Sequence, residues 1–262
     1  MSRSSSGDGL AWGDPVAVGG LWLLVITLAL TGLSVLAYAL RALDLLGAVA
    51  SFFLGLEVAL LGGIQWLVLM TLFPILGVLT TRIGYRRKAE RRVAEAAGGE
   101  RGVGNVLGNG LGPGLAALAL LFAPFVPPQA AALAFATALA AVTADTVASE
   151  IGVLSGRARG ILPPFRPMPI GVNGAVSLPG QCAALAGATA IAAAAFVLLG
   201  LPAWLAWVPA VAGFLGCQFD SVLGATLERD DERPGPLSKQ DVNFIASAVP
   251  AFVVLVIATL VL

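Results

Sequence analysis

Eight apolar stretches of about 20 residues each run through the sequence, and they constrain the fold more than any other feature. A helix needs about 20 largely apolar residues to cross the hydrocarbon core of a bilayer. We therefore predict transmembrane helices at 16–40, 43–60, 64–82, 106–126, 129–153, 177–200, 203–227 and 242–262. The chain is expected to be an all-α, multi-pass integral membrane protein whose main partner is the lipid bilayer.

The basic residues lie almost entirely in alternate loops of this eight-helix arrangement. Of the fifteen Lys and Arg, fourteen fall on one side of the predicted membrane, and only Arg3 lies across it. Because cytoplasmic loops carry an excess of Lys and Arg, we predict that this side is cytoplasmic and that both termini are outside. The cytoplasmic loops are then about 83–105, 154–176 and 228–241.

The rest of the chain leaves no room for a soluble domain. Residues 1–15 are rich in Ser and Gly and do not show the pattern of a secretory signal, so we expect a flexible tail before a single membrane domain over 16–262. Fifteen acidic residues balance the fifteen basic ones, which gives no indication of a nucleic-acid partner. Histidine is absent, which excludes a His general base and a His metal ligand.

Two segments of the chain share a weak internal similarity. Asn109-Gly110, an Ala/Leu-rich helix and Asp145 are echoed by Asn173-Gly174, an Ala-rich helix and Asp220. Both segments enter the membrane from the same predicted side, so a duplication would be parallel and would bring the two Asp face to face. The alternative is chance similarity, because Ala/Gly-rich helices favour close packing in lipid generally.

Two acids lie close together near the predicted cytoplasmic end of the fifth span. Asp145 shares a helix face with Ser149, and Glu150 shares a neighbouring face with Thr146. Ionised groups inside a span need partners or a cation, and this polar arc can hold a hard cation through oxygen ligands alone. In the alternative, Glu150 lies in interfacial water and Asp145 pairs with an Arg.

A third acid, Asp220, lies at a similar depth on the seventh span, followed by Ser221 and Thr226. Asp145 is its natural partner. The alternative is a lone buried acid that is hydrogen-bonded to the backbone or to Ser.

Polar and glycine-containing segments precede two of the spans. The loop before the sixth span carries Arg166, Asn173-Gly174 and Ser177, and such a helix N-terminus suits an anion such as phosphate. An ordinary Ser-capped helix explains the same pattern. Asn105 and Asn109, before and at the start of the fourth span, carry the same ambiguity.

Asp241 at the start of the last span and the longest basic segment each have a structural explanation, whereas Asn243 is harder to explain by structure alone. Asp241 and Asn243 begin the last span, and Ser238 precedes Asp241 at the spacing of a helix cap. The run 82–101 contains Arg and Glu at i,i+4 spacing, as at Arg86/Glu90 and Arg91/Glu95, so we expect a solvated cytoplasmic helix there.

These motifs, in this order, resemble a family of integral membrane proteins first catalogued as a domain of unknown function. Its animal members are called transmembrane protein 19, and its plant members include the phytyl phosphate kinase of vitamin E synthesis. The residues that carry the resemblance are Arg101-Gly102, Asn105, Asn109-Gly110, and the segments 143–150, 171–177, 220–226 and 241–244. The chain departs from the family at Val172 and Ala175, where Thr and Gly are usual.

The resemblance implies phosphorylation of a prenyl monophosphate to its diphosphate at the cytoplasmic face, with a nucleoside triphosphate such as CTP. It implies catalytic Mg²⁺ ligands at Asp145, Glu150 and Asp220. It also implies that substrate or nucleotide is bound by Arg101, Asn105, Asn109, Thr146, Ser149, Arg166, Asn173, Gly174, Ser177, Ser221, Thr226, Asp241 and Asn243. A phosphate monoester is largely a dianion at neutral pH, so this chemistry does not require His.

Two other functions stay open at this point. Parallel repeats with intramembrane acids also build transporters of small ions or solutes. A lipid cytidylyltransferase could use the same metal and interface, and it would release pyrophosphate where a kinase releases a nucleoside diphosphate.

Overall fold

Helices account for most of the described chain, with one small antiparallel sheet. The computed structural model describes residues 19–94, 100–122, 124–164, 166–229 and 234–262. The helices in these ranges are α1 (Gly20–Ala39), α2 (Leu45–Gly62), α3 (Ile64–Arg82), α4 (Tyr85–Glu90), α5 (Val103–Leu118), α6 (Pro128–Gly152), α7 (Leu178–Leu199), α8 (Val208–Thr226) and α9 (Lys239–Val261), with a 3-10 turn over Ala119–Phe122.

All of these helices except α4 are long and apolar enough to cross a membrane. The prediction of an all-α membrane protein with eight spans is therefore confirmed. When α5 is counted together with the 3-10 turn that follows it, as a span over Val103–Phe122, the ends of the spans lie within five residues of the predicted ones. The tail expected over residues 1–15 lies outside the described residues.

Helix α6 occupies the centre of the bundle. It packs against α3, α5, α7, α8 and α9. In its most apolar stretch of 18 residues, 89% of the residues are buried, compared with 11% in the corresponding stretch of α1. Ala dominates its sequence, and the small side chain allows neighbouring backbones to approach closely. At Gly180 of α7, for example, a Cβ atom would lie 3.0 Å from the carbonyl oxygen of Ala148. The central position of α6 fixes the depth of the acids at its end.

The loop between α6 and α7 contains three short strands that the sequence did not indicate. They are β1 (Ala158–Gly160), β2 (Pro167–Met168) and β3 (Ala175–Val176), antiparallel in the order β2-β1-β3. Strands of two or three residues are too short to leave a period-two pattern. Because β3 contacts α8, the sheet holds the second half of this loop against the end of that helix.

The basic segment after α3 differs from the solvated helix that we expected. Helix α4 has only six residues, and Lys88 within it is 1% exposed. The expectation is wrong for Lys88 because its ammonium group forms an ion pair with Glu150 of α6, with 2.5 Å between Nζ and Oε2. Of the predicted pairs, Arg91/Glu95 involves a residue outside the described ranges.

The polar motifs gather at one end of the bundle. The hydroxyl of Ser177, before α7, donates to the carbonyl of Gly152 at the end of α6 (3.2 Å). The backbone of Arg101, before α5, accepts a hydrogen bond from Asp44, before α2 (3.1 Å). The chain has thus brought the ends of α3, α6 and α8 together with the starts of α2, α5, α7 and α9.

Candidate functional site

A cavity of about 320 Å³ lies at this end of the bundle. Its walls are the end of α6, the loop 170–177, the start of α7, the end of α8, the start of α9 and residues 92–94. The charged and polar side chains that line it are Arg92, Asp145, Ser149, Glu150, Asn173, Ser177, Gln181, Asp220, Ser221, Glu228, Lys239 and Asn243. Most of the elements singled out in the sequence therefore contribute to one site.

The two acids of the internal similarity meet in this cavity. Asp145 on α6 and Asp220 on α8 both line this cavity, and their carboxyl groups are close enough to interact, with Glu228 and Lys239 as further charges close to Asp220. The predicted meeting of the two Asp is therefore confirmed. Two ionised carboxylates this close repel each other, and a shared proton, the nearby Lys239 ammonium or a bound cation would offset that repulsion.

The donor set fits a magnesium ion. Mg²⁺ prefers hard oxygen ligands and is usually held by one or two carboxylates, with water and substrate phosphates completing its coordination. Among the described residues there is no cluster of three or more Asp, Glu, Cys or His that could hold a metal. A two-carboxylate site at Asp145 and Asp220 agrees with both statements, and magnesium binding itself stays a prediction.

Glu150 lines the cavity but is engaged by other groups of the chain. Its Oε1 accepts a hydrogen bond from the hydroxyl of Thr81 (2.7 Å), and its Oε2 accepts one from Lys88 (2.5 Å). The guanidinium of Arg101 lies 4.0 Å from Oε1. The predicted cluster of three carboxylates is therefore not assembled, because the buried charge of Glu150 is neutralised by basic groups.

A tight turn places Asn173 on the cavity wall. The turn is closed by a hydrogen bond from the N–H of Ala175 to the carbonyl of Val172 (2.9 Å). Gly174 has φ 78°, which the third position of a type II turn requires. A Cβ atom there would also lie 2.5 Å from Cβ of Ala225 on α8. Gly174 is thus fixed both by its backbone conformation and by its close approach to α8.

Ser177 caps α7, as the alternative interpretation of this motif proposed. Its hydroxyl oxygen accepts a hydrogen bond from the N–H of Gly180 (3.3 Å), in addition to its own bond to Gly152. The hydroxyl oxygen of Ser177 has two lone pairs, and the bond from Gly180 uses one of them. Ser177 can therefore cap α7 and still offer an acceptor to the cavity.

A second, much smaller cavity lies behind the acid pair. Its volume is about 10 Å³, and its polar lining comes from Asn109, Asp145, Asp220, Asn243 and Ser247. This volume holds about one water molecule. The predicted residues Asn109 and Asn243 therefore lie beside the acids, with Asn109 on the inner side of the pair.

The remaining predicted residues are outside the lining of the main cavity. Arg101 packs against Glu150 and Thr81, and Asn105 accepts a hydrogen bond from Asn109 through its carbonyl (2.8 Å). Thr226 donates to the carbonyl of Val222 (2.8 Å). The others that do not line it are Thr146, Arg166 and Asp241.

Asp241 has the capping role that was its alternative explanation. It forms a capping box with Ser238, in which the Ser238 N–H donates to Oδ2 of Asp241 (2.9 Å) and the Asp241 N–H donates to the Ser238 hydroxyl (3.2 Å). This cap orients the first turn of α9, whose next polar residue, Asn243, does line the cavity.

Several lining residues were missed from the sequence. Lys239 lies four residues before Asn243, so both belong to one face of α9. This spacing could have predicted that Lys239 lies close to the site together with Asn243. Arg92 and Glu228 lie outside regular helices, where side-chain direction follows no period. No sequence pattern indicated that either residue would line the site.

Comparisons with known proteins agree with this architecture. The chain is 31% identical to an uncharacterized membrane protein of Methanocaldococcus jannaschii, over 91% of this chain and 95% of that protein. Two Arabidopsis thaliana proteins are each 26% identical over 82% of this chain: Protein PGR, of which 89% is covered, and the chloroplastic Protein VTE6, of which 65% is covered. No solved structure matches the chain. Because the family model matches residues 28–251, the chain belongs to the integral membrane protein family DUF92.

Proposed function

We propose that the protein is a membrane-embedded phosphotransferase that converts a prenyl monophosphate to its diphosphate with a nucleoside triphosphate such as CTP. The observation that carries this proposal is that Asp145 and Asp220 lie side by side in the lining of one polar cavity at the helix ends of a membrane bundle. The family resemblance supports the substrate class, since its plant members include the phytyl phosphate kinase of vitamin E synthesis.

The size of the cavity supports a division of the substrate between protein and lipid. About 320 Å³ is close to the lower limit of small-molecule sites, which suits phosphate groups better than a long prenyl chain. We therefore assign the phosphate headgroups to the cavity and the prenyl chain to the bilayer between the spans. A soluble nucleotide would reach the same cavity from the aqueous side.

The residues suit a reaction that depends on positioning and on charge neutralisation. Phosphoryl transfer needs in-line alignment and stabilisation of equatorial oxygens more than covalent help from the protein. Asp145 and Asp220 would hold Mg²⁺, which supplies charge neutralisation to phosphate oxygens when it is bound. Asn173 and the N-terminus of α7 would orient a phosphate through an amide group and the helix dipole.

The transporter alternative is less well supported by the distribution of buried polar groups. Among the described residues, the buried polar side chains are Thr81, Lys88, Asn109, Thr137, Thr143, Glu150, Asn243 and Ser247. All except Thr137 lie in the half of the bundle that contains the cavity. A transport pathway needs polar groups along both halves, whereas an interfacial enzyme needs them at one end.

The proposal is tested with purified protein, Mg²⁺, a panel of nucleoside triphosphates and prenyl monophosphates of several chain lengths, read by mass spectrometry. Formation of a prenyl diphosphate together with a nucleoside diphosphate is expected. Pyrophosphate with a nucleotide-linked lipid would instead identify a cytidylyltransferase. An Asp145→Asn preparation serves as the control for contaminating kinases. Absence of either product from all combinations would overturn the phosphotransferase assignment.

A further inference from the structure

We propose that Arg92 binds a phosphate group in the main cavity and that the buried pair of Lys88 and Glu150 positions it there, an assignment that rests on the function proposed above. Glu150 is then a positioning residue instead of a metal ligand. The segment concerned is residues 83–94, which connects α3 to the cavity wall through the short helix α4.

The pairing of Lys88 with Glu150 fastens this segment to the central helix. Lys88 is 1% exposed and Glu150 is 4% exposed, although α4 has only six residues. The ammonium group of Lys88 donates to Oε2 of Glu150 (2.5 Å) and to the carbonyl of Thr80 (3.0 Å). Because an unpaired buried charge is strongly unfavourable, neither residue can leave this position without the other.

The second oxygen of Glu150 is also engaged, which separates this residue from the acid pair. Oε1 accepts from Thr81 (2.7 Å), and Arg101 lies 3.4 Å from the Thr81 hydroxyl and 4.0 Å from Oε1. The network joins α3, α4, α6 and the residue that precedes the start of α5 at the cavity wall. Both carboxylate oxygens of Glu150 are therefore engaged by other groups of the chain.

The chain beyond Lys88 is tied down as it reaches the cavity. The N–H of Val93 donates to the carbonyl of Lys88 (3.0 Å), and the guanidinium of Arg91 donates to the carbonyl of Val153 on the α6 side (3.0 Å). Val93 packs on Gly171, where a Cβ atom would lie 2.8 Å from Cγ1 of Val93. Arg92 lies between these two anchored residues, with φ 57°, and lines the cavity.

The chemistry of Arg92 suits a phosphate. Among the described residues that line the cavity, the cationic side chains are Arg92 and Lys239, and Lys239 is close to the carboxyl of Asp220. A guanidinium offers a planar fork that matches phosphate oxygens bidentately, which a Lys ammonium cannot do. The phosphate could belong to the nucleotide or to the prenyl phosphate, and binding measurements distinguish the two.

The first test measures equilibrium binding without turnover. Arg92→Gln, Arg92→Lys and the control Arg87→Gln are compared for the Kd of CTP and of a prenyl monophosphate, each offered alone. Arg87 is exposed on α4 and does not line the cavity. Arg92→Gln should raise the Kd of at least one ligand by about tenfold or more, Arg92→Lys by less, and Arg87→Gln by no more than about twofold.

The ligand whose Kd rises identifies the phosphate that Arg92 holds. Unchanged Kd values for both ligands in Arg92→Gln would overturn the assignment. An equal rise in Kd in Arg87→Gln would also overturn it, because the effect would then come from the positive charge of the surface and not from a contact of Arg92 with the phosphate. A protein that binds these ligands through Arg92 but transfers no phosphate would refute the proposed function and leave this inference standing.

The second test separates positioning from metal binding. Lys88→Met, Glu150→Gln and the double variant are compared in detergent for Tm, for Mn²⁺ affinity, and for the Kd of the ligand that depends on Arg92. Each single variant leaves a buried group without its partner and should lower Tm by about 5 °C or more. The double variant removes both partners and should recover at least half of the loss in Tm and in ligand affinity.

Mn²⁺ affinity decides between the two roles of Glu150. A positioning residue predicts that the double variant binds Mn²⁺ within about threefold of the wild-type protein, whereas Asp145→Asn loses at least about tenfold in affinity. If Glu150→Gln and the double variant lose Mn²⁺ affinity as fully as Asp145→Asn does, Glu150 is a metal ligand and the positioning role is wrong. The double variant removes the Lys88 ammonium and the Glu150 carboxylate together, and Arg101 is the charged group of the network that remains. This comparison therefore does not depend on a single variant that fails to fold.

Discussion

Asn243 on α9 donates a hydrogen bond from Nδ2 to Oδ1 of Asn109 on α5, with 3.4 Å between the two atoms. The two residues are only 8% and 4% exposed, and both line the small cavity behind Asp145 and Asp220. The Asn109 side chain in turn donates to the carbonyl of Asn105 (2.8 Å). This amide pair links α5 to α9 at the small cavity that Asp145 and Asp220 also line.

Removal of one member of this pair should destabilise the protein. Asn243→Ala leaves Oδ1 of Asn109 without this donor, and an unsatisfied buried acceptor costs about 1–3 kcal/mol. We expect a lower Tm in detergent for Asn243→Ala and for Asn109→Ala. The double variant should be less destabilised than the sum of the two, since the interaction is lost only once. Strict additivity would mean that the two amides do not interact.

Both acids of the main cavity should be required for transfer. Asp145→Asn and Asp220→Asn keep the size of the side chain and remove its charge, so the helices should remain assembled while turnover falls by about 10²-fold or more. Asp44→Asn is the matched control: Asp44 caps α2 by accepting a hydrogen bond from the N–H of Gly47 (2.6 Å), and Asn also caps helices well. Near-normal turnover in the two cavity variants at saturating Mg²⁺ would make the acids structural.

The turn that carries Asn173 should depend on glycine for more than its backbone conformation. Gly174→Ala combines the strain of φ 78° with the contact to Ala225, so the loop should move away from α8 and KM for the phosphorylated substrate should rise. Gly156→Ala is a control with φ 73° but nothing within 4 Å of the new Cβ atom. If both variants behave alike in KM assays, the close approach at Gly174 has no role in the site.

The sequence indicated the helices and the acid pair because both leave regular signals. Span length and apolar composition determine the eight helices, and the echo of Asp145 by Asp220 indicated that these acids would meet. The contact of Lys88 with Glu150 joins residues 62 positions apart. Helical and strand periodicity relate only residues that are near each other in the sequence, so they could not predict this contact. The solvated helix predicted for residues 82–101 included Lys88, because burial of a charged side chain depends on a partner elsewhere in the chain. The local sequence gives no sign of that partner.

The predicted orientation in the membrane is tested by labelling intact cells. In a variant with both native cysteines replaced, Gln65→Cys at the start of α3 and Glu90→Cys at the end of α4 each introduce one exposed thiol. The distribution of basic residues predicts that an impermeant maleimide labels Gln65→Cys on intact cells, and Glu90→Cys only after permeabilisation. The opposite pattern would reverse the topology and move the cavity to the outer face.

The acceptor of the phosphoryl group gives the most specific prediction. The main cavity offers carboxylates, amides, hydroxyls and the cationic groups of Arg92 and Lys239, and the chain contains no histidine. Phosphorylation of an alcohol requires removal of a proton that is held about as tightly as that of water. A prenyl monophosphate has a second pKa of about 6 and is already a nucleophilic dianion at neutral pH.

Phytyl and geranylgeranyl monophosphates should therefore be converted to diphosphates at least about 10²-fold faster than the matched alcohols are converted to monophosphates, which is the scale of a missing general base. Side-by-side assays with equal chain lengths and one nucleotide donor measure this ratio directly. A carboxylate can serve as the base, as the catalytic-loop Asp does in protein kinases. Efficient phosphorylation of phytol would thus assign that role to one of the cavity acids and reject the monophosphate acceptor, while the metal site at Asp145 and Asp220 would be unaffected.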